Sequence, residues 1–385
     1  MTEAVPAVAE RLLGEAWGGD VRLGSAVTLS EGKAYRFTVE TAPVDAPARV
    51  IVKTARSEPG LPADPDARAG NPAQPLLEEW AGLAFLNSVL PDNGLVPAFY
   101  GGDRAACVVA MEDLGAGESL VDALRGPDPG RAGESLTMHA QAIADLHTGT
   151  AGAEARYWEV RDALGPRGLP RDWKSWGNLL DTQGWGDLRL LETQLRKGLS
   201  LLGQEVPAAF RDEYEALTGS VEHASPFRAY VHSDTCPDNA LLGPAGVRLI
   251  DFERGGYHLC LLDTAYYRLG MPHCYWAGRL PREVIAETER AYRARLGIAG
   301  DFGAALTEAC AYWIISNGIW PRAFADFPWG SSTWRARVLH QLTAFAETTE
   351  EFGHLTAMGS AARETVRLVR SCGGAAELPL FPAFR

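Results

Sequence analysis

The sequence lacks the features that mark several common classes of protein. No window in its 385 residues reaches about 18 uninterrupted apolar residues, so none is predicted to span a membrane. Basic residues are outnumbered, because 36 lysines and arginines face 49 aspartates and glutamates, and the net charge of −13 argues against a nucleic-acid binder. Residues 1–17 lack the basic start and apolar run of a signal peptide. These absences predict a cytoplasmic protein with neither a membrane nor a nucleic-acid partner.

The cysteines are few and scattered. None of them forms a C-x-x-C pair, so the sequence shows neither a zinc-binding spacing nor the pattern of a secreted disulfide framework. We therefore expect free thiols in a reducing compartment. The six cysteines are Cys107, Cys236, Cys260, Cys274, Cys310 and Cys372.

The length and the pattern of the first third predict a small lobe followed by a larger one. A chain of this length exceeds the size at which single cores usually stop growing. Residues 21–54 contain two β-like runs, AYRFTVE and ARVIVKTA, joined by a turn-rich segment, which is typical of a hairpin in an antiparallel sheet. Leucines at helical spacing from Leu76 to Leu90 then predict one main helix. The strand-like run CVVAME precedes the glycines of DLGAGES, where we place a hinge.

The rest of the chain is mainly helical in pattern. Apolar residues recur at helical spacing in SLTMHAQAIADLH, and the segments REVIAETERAYRARL and WRARVLHQLTAFAETTEEF are also predicted helices. Short strands are expected at FRAYV, before residue 232, and at VRLIDFE, before residue 254. The C-terminal segment ELPLFPAFR gives no clear signal for a helix or a strand.

The stretch HSDTCPDN concentrates polar side chains on a predicted loop. Asp234 is followed five residues later by Asn239, and Asp251 then ends the next strand. This set supplies one base and two oxygen ligands, which phosphoryl transfer from ATP requires. Mg²⁺ prefers hard oxygen donors and is commonly held by one or two protein groups together with phosphates. We therefore predict Asn239 and Asp251 as metal ligands, and Asp234 as the group that orients an acceptor hydroxyl and accepts its proton.

These motifs resemble those of the aminoglycoside phosphotransferase and choline kinase group. Its catalytic loop reads like H-G-D-x-x-x-x-N, here residues 232–239, and its metal-binding segment reads like I-D-F/W-E, here residues 250–253. The resemblance implies a bilobal α+β fold of the protein-kinase type, with a nucleotide-binding lobe over 1–114 and a helical lobe with the acceptor site over 115–385. It also implies that Asp263 braces the catalytic loop without being a catalyst.

The same resemblance assigns residues of the first lobe to the phosphates. Lys53, in VIVK, would contact the α- and β-phosphates of ATP or GTP, and Ile51 would line the adenine pocket. Glu79 would pair with Lys53, because its distance to Leu86 matches the family pattern better than that of Glu78, which is the solvated alternative.

Two further segments resemble nucleotide-binding parts of the family. Ser30 and Gly32 would belong to the turn that covers the nucleotide. Met111 begins the expected hinge, in which the backbone C=O of Glu112 and N–H of Leu114 would bind the adenine edge. The sequence departs from the family pattern where Ser233 replaces the usual glycine, and it has no G-x-G-x-x-G over the phosphates.

The predicted function is transfer of a γ-phosphoryl group to a hydroxyl of a small molecule, an aminoglycoside-like or other cationic acceptor. A nucleotide-binding pseudokinase that regulates a partner is the alternative. A protein kinase is disfavoured, because no A-P-E segment follows Asp251. Side chains that could line the acceptor pocket are Trp158, Trp173, Trp176 and Trp276, and the acidic Asp162, Asp172, Asp181 and Glu283.

Overall fold

A computed structural model describes residues 4–55, 60–67, 71–90, 94–165, 208–223, 226–272, 274–316, 327–371 and 377–385. The chain divides into two compact units. Unit 1 comprises Met1–Gly117, Gly152–Gly168 and Gly243–Gly256, and unit 2 comprises Glu118–Ala151, Leu169–Leu242 and Tyr257–Arg385.

The described residues contain strands and helices in an α+β arrangement, as predicted. The strands are β1 Arg22–Ser30, β2 Ala34–Thr41, β3 Arg49–Thr54, β4 Phe99–Asp103, β5 Val108–Glu112, β6 Glu118–Ser119, β7 Arg228–Val231, β8 Ala240–Gly243, β9 Gly246–Leu249, β10 Gly256–Leu259, β11 Pro328–Trp329 and β12 Ser332–Thr333. The helices are α1 Ala4–Trp17, α2 Ala73–Val89, α3 Leu120–Arg125, α4 Pro129–Thr150, α5 Glu154–Ala163, α6 Ala208–His223, α7 Leu261–Arg268, α8 Arg282–Arg295, α9 Phe302–Ser316, α10 Trp334–Phe352 and α11 Thr356–Ser371.

Unit 1 contains a five-stranded sheet in the order β1-β2-β3-β5-β4. All of its neighbouring strands pair antiparallel. The predicted hairpin is present as β2 and β3, whose register places Ala34 opposite Lys53. Strand β1 was not predicted, because most of its residues are exposed and its glycine and serine do not follow the apolar alternation of a half-buried strand.

Helix α1 covers part of this sheet. Its buried residues Val5, Ala9, Leu12 and Leu13 follow helical spacing and join one apolar cluster with residues of the sheet. The cluster includes Tyr35 and Phe37 of β2, Val50 and Val52 of β3, and Val108 and Ala110 of β5. The apolar face of α1 is therefore part of the core of unit 1.

Helix α2 packs against α5 through an aromatic pair and a buried ion pair. The rings of Phe85 and Tyr157 meet edge to face, with centroids 5.5 Å apart. Arg161 donates from Nε and Nη2 to the carboxylate of Glu78 at 2.8 and 2.7 Å. Because both side chains are buried, α2 has a fixed orientation relative to α5.

Unit 2 is mainly helical where the structure describes it. Helix α4 packs against α8, α10 lies between α9 and α11, and α7 contacts α9. Strands β7 and β8 flank the segment 232–239 in sequence, and they pair with β10 and β6 respectively. The predicted helices of the C-terminal half are present, and α10 spans the whole of WRARVLHQLTAFAETTEEF.

The C-terminal segment is ordered by pairing that its sequence did not indicate. Arg279 N donates to Pro379 O at 2.8 Å, and Phe381 N donates to Arg279 O at 3.1 Å. Leu378 and Phe381 are buried. Backbone hydrogen bonds to Arg279, about 100 residues earlier in the chain, hold this segment in place. Pairing of this kind does not produce a periodic pattern of apolar residues in the sequence.

The prediction of free thiols is wrong for two cysteines. Cys236 and Cys274, 38 residues apart, form a disulfide with their Cα atoms 5.5 Å apart. Cys107, Cys260 and Cys310 are free and buried, and Cys372 lies outside the described residues. The pairing depends on the fold and not on local spacing, so cysteine spacing no longer supports a reducing compartment. Across the described residues, no helix is both long and apolar enough to cross a membrane.

Candidate active site

Lys53 is the centre of a charged cluster in unit 1. It lies on β3, and its ammonium contacts both carboxylate oxygens of Glu79 at 2.6 and 2.8 Å and Oδ1 of Asp251 at 2.8 Å. Glu79 comes from α2, and Asp251 follows β9, whose Leu249 N donates to Leu95 O. One cation thus joins three elements that are far apart in sequence.

Burial and charge act in opposite directions on this cluster. Burial disfavours the Lys53 ammonium, but the charges of Glu79 and Asp251 outweigh it, so the pKa of Lys53 rises above its usual value. Burial raises the pKa of Glu79 to about 7, although Lys53 acts to lower it, because the nearby charge of Asp251 adds to the burial effect. Lys53 therefore stays protonated, and the two carboxylates of Glu79 and Asp251 share this one positive charge.

Asp251 adopts a backbone conformation that L-residues rarely take. Its φ is 69°, in the left-handed region, and its side chain is 36% exposed. Such conformations cost roughly 1–3 kcal/mol and occur where the surrounding structure demands them. The strained backbone presents the carboxylate beside Lys53, and Glu253, two residues on, faces Lys33 at 3.6 Å.

Glu78 is not the solvated residue that the sequence indicated. It is buried and paired with Arg161, whereas its neighbour Glu79 pairs with Lys53. The predicted choice of Glu79 for Lys53 thus agrees with the geometry. Arg161 was missed, because nothing in the sequence near it indicates a partner 83 residues away.

The segments assigned to the nucleotide lie on the sheet of unit 1. Ser30 ends β1, and its carbonyl accepts a hydrogen bond from Lys33 N at 3.0 Å. Gly32 has a φ of 69°, which glycine adopts without strain, and its carbonyl accepts from Thr54 Oγ1 at 3.1 Å. This turn is therefore tied to the residue that follows Lys53.

The predicted hinge is held by arginines that sequence analysis did not select. Glu112 ends β5 and binds Arg248 through both carboxylate oxygens at 2.8 Å, which lowers its pKa. Asp113 binds Arg36 at 2.7 and 2.9 Å. These bidentate pairs fix the backbone between Met111, which lies opposite Ile51, and Leu114.

In unit 2, Asp263 holds the start of the segment 232–239. Its carboxylate accepts the backbone N–H groups of His232 and Ser233, both at 2.8 Å. Asp263 lies on α7, is fully buried, and also contacts His147 Nε2 at 3.1 Å. It braces the loop in the way the motif implied.

His147 links this brace to α8. Its Nδ1 lies 2.8 Å from the hydroxyl of Tyr292. Burial lowers the pKa of His147, but attraction to Cys260 and the hydrogen bond to Asp263 outweigh it and raise the pKa to about 9. For His139, also on α4, burial and the neighbouring His232 outweigh the attraction of Asp263 and lower the pKa to about 4.

Asp234 and Asn239 lie on the loop that Asp263 braces. Asn239 Nδ2 donates to the backbone carbonyl of Asp234 at 2.9 Å, and its own N–H donates to Cys236 O at 2.9 Å. A 3-10 turn over Pro237–Asn239 makes this compact. Because the amide nitrogen is engaged, the amide oxygen of Asn239 is the atom suited to a cation.

Ser233 occupies the position at which the group that the motifs resemble has glycine. The backbone there adopts a conformation that favours glycine. The φ of Ser233 is 59°, in the left-handed region. Its hydroxyl is buried and has no hydrogen-bond partner among the described residues. A serine is therefore accommodated here at a cost in backbone strain and in polar burial.

Each of the two predicted metal ligands, one in either unit, carries a donor atom whose chemistry fits Mg²⁺. Asp251 and Asn239 offer hard oxygen atoms, and the carboxylates around Lys53 leave unit 1 with local negative charge. Such charge suits a divalent cation bound with phosphates.

The side chains considered for the acceptor are spread over both units. Trp158 donates to Glu154 Oε1 at 3.2 Å, and Trp276 stacks under Arg125, 4.2 Å from the ring centroid. Glu283 is exposed. Trp173, Trp176, Asp172 and Asp181 lie outside the described residues.

Comparisons with known proteins give similarity at the level of the fold. No protein-family model matches the sequence, and no curated protein matches it. The choline kinase from Cryptosporidium parvum Iowa II shares 10% identity over 96% of this chain and 95% of its own, with a TM-score of 0.43. The choline kinase LicA from Streptococcus pneumoniae shares 14% over 90% and 100%, with a TM-score of 0.43.

An aminoglycoside-3'-phosphotransferase of type VIII shares 20% identity over 81% of this chain and 98% of its own, with a TM-score of 0.39. The similar structures thus come from the group that the motifs resemble. At these scores the likeness does not assign an activity or a substrate to this chain.

Proposed function

We propose that the protein transfers the γ-phosphoryl group of ATP or GTP to a hydroxyl of a small molecule. The observation that carries the proposal is the Lys53 ammonium held between Glu79 and Asp251 within 2.8 Å. A buried cation is expensive unless it is paired. Here the pairing orients it and leaves one carboxylate partly exposed, which suits a site for phosphates and their cation.

The positions of the candidate residues on unit 1 support the proposed nucleotide roles. Lys53 contacts the phosphates, and the turn with Ser30 and Gly32 covers them. Ile51, Met111 and the backbone of Glu112 and Leu114 bind the base. The rigid arginine pairs of Glu112 and Asp113 support this role, because a fixed backbone presents its C=O and N–H groups at constant positions. Residues 1–114 form the nucleotide-binding lobe, and 115–385 contribute the acceptor side.

Asn239 and Asp251 would hold Mg²⁺ together with the phosphates, whose charge the bound ion would neutralise. Asp234 orients the acceptor hydroxyl and accepts its proton while the oxygen bonds to phosphorus and the bond to the leaving nucleoside diphosphate breaks. The brace at Asp263 keeps the backbone of this loop in place. Catalysis rests on alignment and charge neutralisation, each worth several kcal/mol.

The acceptor is proposed to be a hydroxylated cation, such as an aminoglycoside-like molecule. The net charge of −13 supports a cationic ligand, since it raises the local concentration of small cations. Nucleic acids and membranes are not proposed as partners, and a cytoplasmic location stays a prediction.

The test is Mg²⁺-dependent ADP formation across a panel of hydroxylated amines and sugars. We expect one acceptor class to stimulate ADP formation well above ATP hydrolysis. Asp234→Ala and Asp234→Asn should each lower turnover by about 100-fold or more while nucleotide affinity changes little. Nucleotide binding with no ADP formation on any acceptor would instead favour a pseudokinase, and unchanged turnover of Asp234→Ala would remove Asp234 from the mechanism.

A further inference from the structure

The disulfide lies beside the proposed base. One ligand atom each of Asp234, Cys236 and Cys274 lies within 4.8 Å of the other two. Among the described residues, this is the one group of three such side chains close enough to share an ion. Two sulfurs and a carboxylate oxygen are donors that zinc accepts.

The two cysteines are positioned by contacts other than their own bond. Cys236 accepts a hydrogen bond at its carbonyl from Asn239 N at 2.9 Å. Cys274 accepts at its carbonyl from Arg337 Nη1 at 2.6 Å, and Arg337 is buried and also binds Tyr275 O. These contacts hold the backbone of both cysteines through hydrogen bonds that do not involve the disulfide itself.

We propose that reduction of the Cys236–Cys274 disulfide creates a zinc site formed by both thiolates and the carboxylate of Asp234. A dithiol reductant attacks one sulfur, forms a mixed disulfide and leaves as its own disulfide, so two electrons and two protons pass to the cysteines. Zinc then displaces the two thiol protons. A tetrahedral ion with bonds of about 2.3 Å to sulfur separates the two sulfurs by about 3.8 Å, which the Cα separation of 5.5 Å allows.

The free cysteines are poorer candidates for metal capture. Cys310 is buried, and burial raises the pKa of its thiol to about 12. The pKa of Cys107 is also raised, first by burial. Neither belongs to a described group of three possible ligands. In the reduced protein, a metal ion bound by thiolates is therefore expected at Asp234, Cys236 and Cys274.

A zinc ion at this site would engage the carboxylate that accepts the acceptor proton. This consequence rests on the proposed function of Asp234. The reduced enzyme should then be inhibited by zinc, whereas the oxidised enzyme, which lacks both thiolates, should not. The site would couple turnover to thiol redox state and zinc supply.

Metal capture is tested without reference to activity. The full chain is reduced with a phosphine, freed of reductant under anaerobic conditions and titrated with Co²⁺, whose thiolate charge-transfer band reports sulfur ligation. We expect one Co²⁺ per chain in the reduced protein, displaced by Zn²⁺, and no band in the oxidised protein. Cys236→Ser and Cys274→Ser should each lose most of the band, and the matched control Cys107→Ser should retain it.

Asp234→Asn tests the third ligand. It should keep the band but weaken Zn²⁺ affinity by about tenfold or more, since even outer-shell partners contribute 10- to 100-fold. No band in the reduced wild type, or a band that survives both Cys236→Ser and Cys274→Ser, would overturn the site. Thermal unfolding of each variant shows whether a lost band reflects a lost fold.

The inhibition is measured as ADP formation with and without Zn²⁺, each protein relative to its own zinc-free rate. At zinc saturation, the rate of ADP formation should fall by at least about tenfold in the reduced wild type and by much less in reduced Cys274→Ser. If the cobalt band appears but zinc does not inhibit the enzyme, the metal site is retained and its proposed effect on turnover is overturned. Absence of any ADP formation with an intact cobalt titration would count against the proposed function alone.

Discussion

The cluster around Lys53 and the loop braced by Asp263 hold a carboxylate in two different ways. In unit 1 Asp251 is held by a side-chain cation that it shares with Glu79. In unit 2 Asp263 is held by two backbone N–H groups and a buried histidine. The first arrangement sets charge, and the second sets backbone position. The proposed phosphoryl transfer would use the first arrangement for the phosphates and the second for the acceptor hydroxyl.

The largest expected effects come from substitutions of two adjacent glutamates on α2, one of which should lower turnover and the other stability. Glu79→Gln removes one partner of Lys53 and should lower turnover by about 100-fold, because a displaced ammonium no longer meets the phosphates. It should cost little stability, since Lys53 keeps Asp251. Glu78→Gln removes the carboxylate that pairs with the buried Arg161 and should lower the free energy of unfolding by about 3 kcal/mol, with turnover unchanged.

Steady-state kinetics and denaturant unfolding of the two variants provide the measurement. The outcome that contradicts this account is the reverse pattern, in which Glu78→Gln loses turnover and Glu79→Gln does not.

The buried histidine of the brace should give unit 2 a pH dependence. The folded-state pKa of His147 is about 9, above an unfolded value of about 6.5. Its stabilisation is therefore fully present below pH 6.5 and is lost as the pH rises towards 9, a change of about 3 kcal/mol. His147→Gln should therefore reduce the pH dependence of the free energy of unfolding between pH 6.5 and 9.

His139→Gln is the matched control, because His139 lies on the same helix and is equally buried. Burial lowers its pKa to about 4, so its titration falls below the range from pH 6.5 to 9. The pH slope should survive His139→Gln. A slope that also survives His147→Gln would show that the protonated His147 does not contribute it.

The smallest expected effect concerns strain in the braced loop. Ser233→Gly removes both the left-handed backbone strain and the buried hydroxyl, and it should raise the free energy of unfolding by about 1 kcal/mol. Ser233→Ala keeps the Cβ and removes only the hydroxyl, so it should gain less. Equal effects of the two substitutions would argue that backbone strain is absent at this position.

The sequence predicted those parts of the molecule that depend on local pattern. Helices with apolar spacing, such as α4 and α10, and the hairpin of β2 and β3 were read from periodicity. Strand β1 was missed because an exposed edge strand carries no alternation. The candidate site residues could be selected from the sequence because the spacing within each motif is short, and their roles stay predictions; they are Lys53, Glu79, Asp234, Asn239 and Asp251.

What the sequence did not predict depends on contacts between distant segments. Arg161, Arg248 and Arg36 each meet a carboxylate from another element, and an arginine carries no local sign of its partner. The disulfide of Cys236 and Cys274 is of the same kind, since neither cysteine lies in a recognisable pair. The left-handed φ of Asp251 is likewise invisible in its sequence context.

The most direct test of the central claim asks whether Asn239 and Asp251 serve one Mg²⁺. Nucleotide binding is measured as a function of Mg²⁺ for Asn239→Ala, Asp251→Asn and the double variant. If one ion is shared, each single change weakens the Mg²⁺ response, and the double variant loses less than the sum of both, with a coupling above about 0.5 kcal/mol. Strictly additive effects, or an unchanged Mg²⁺ response, would contradict the account.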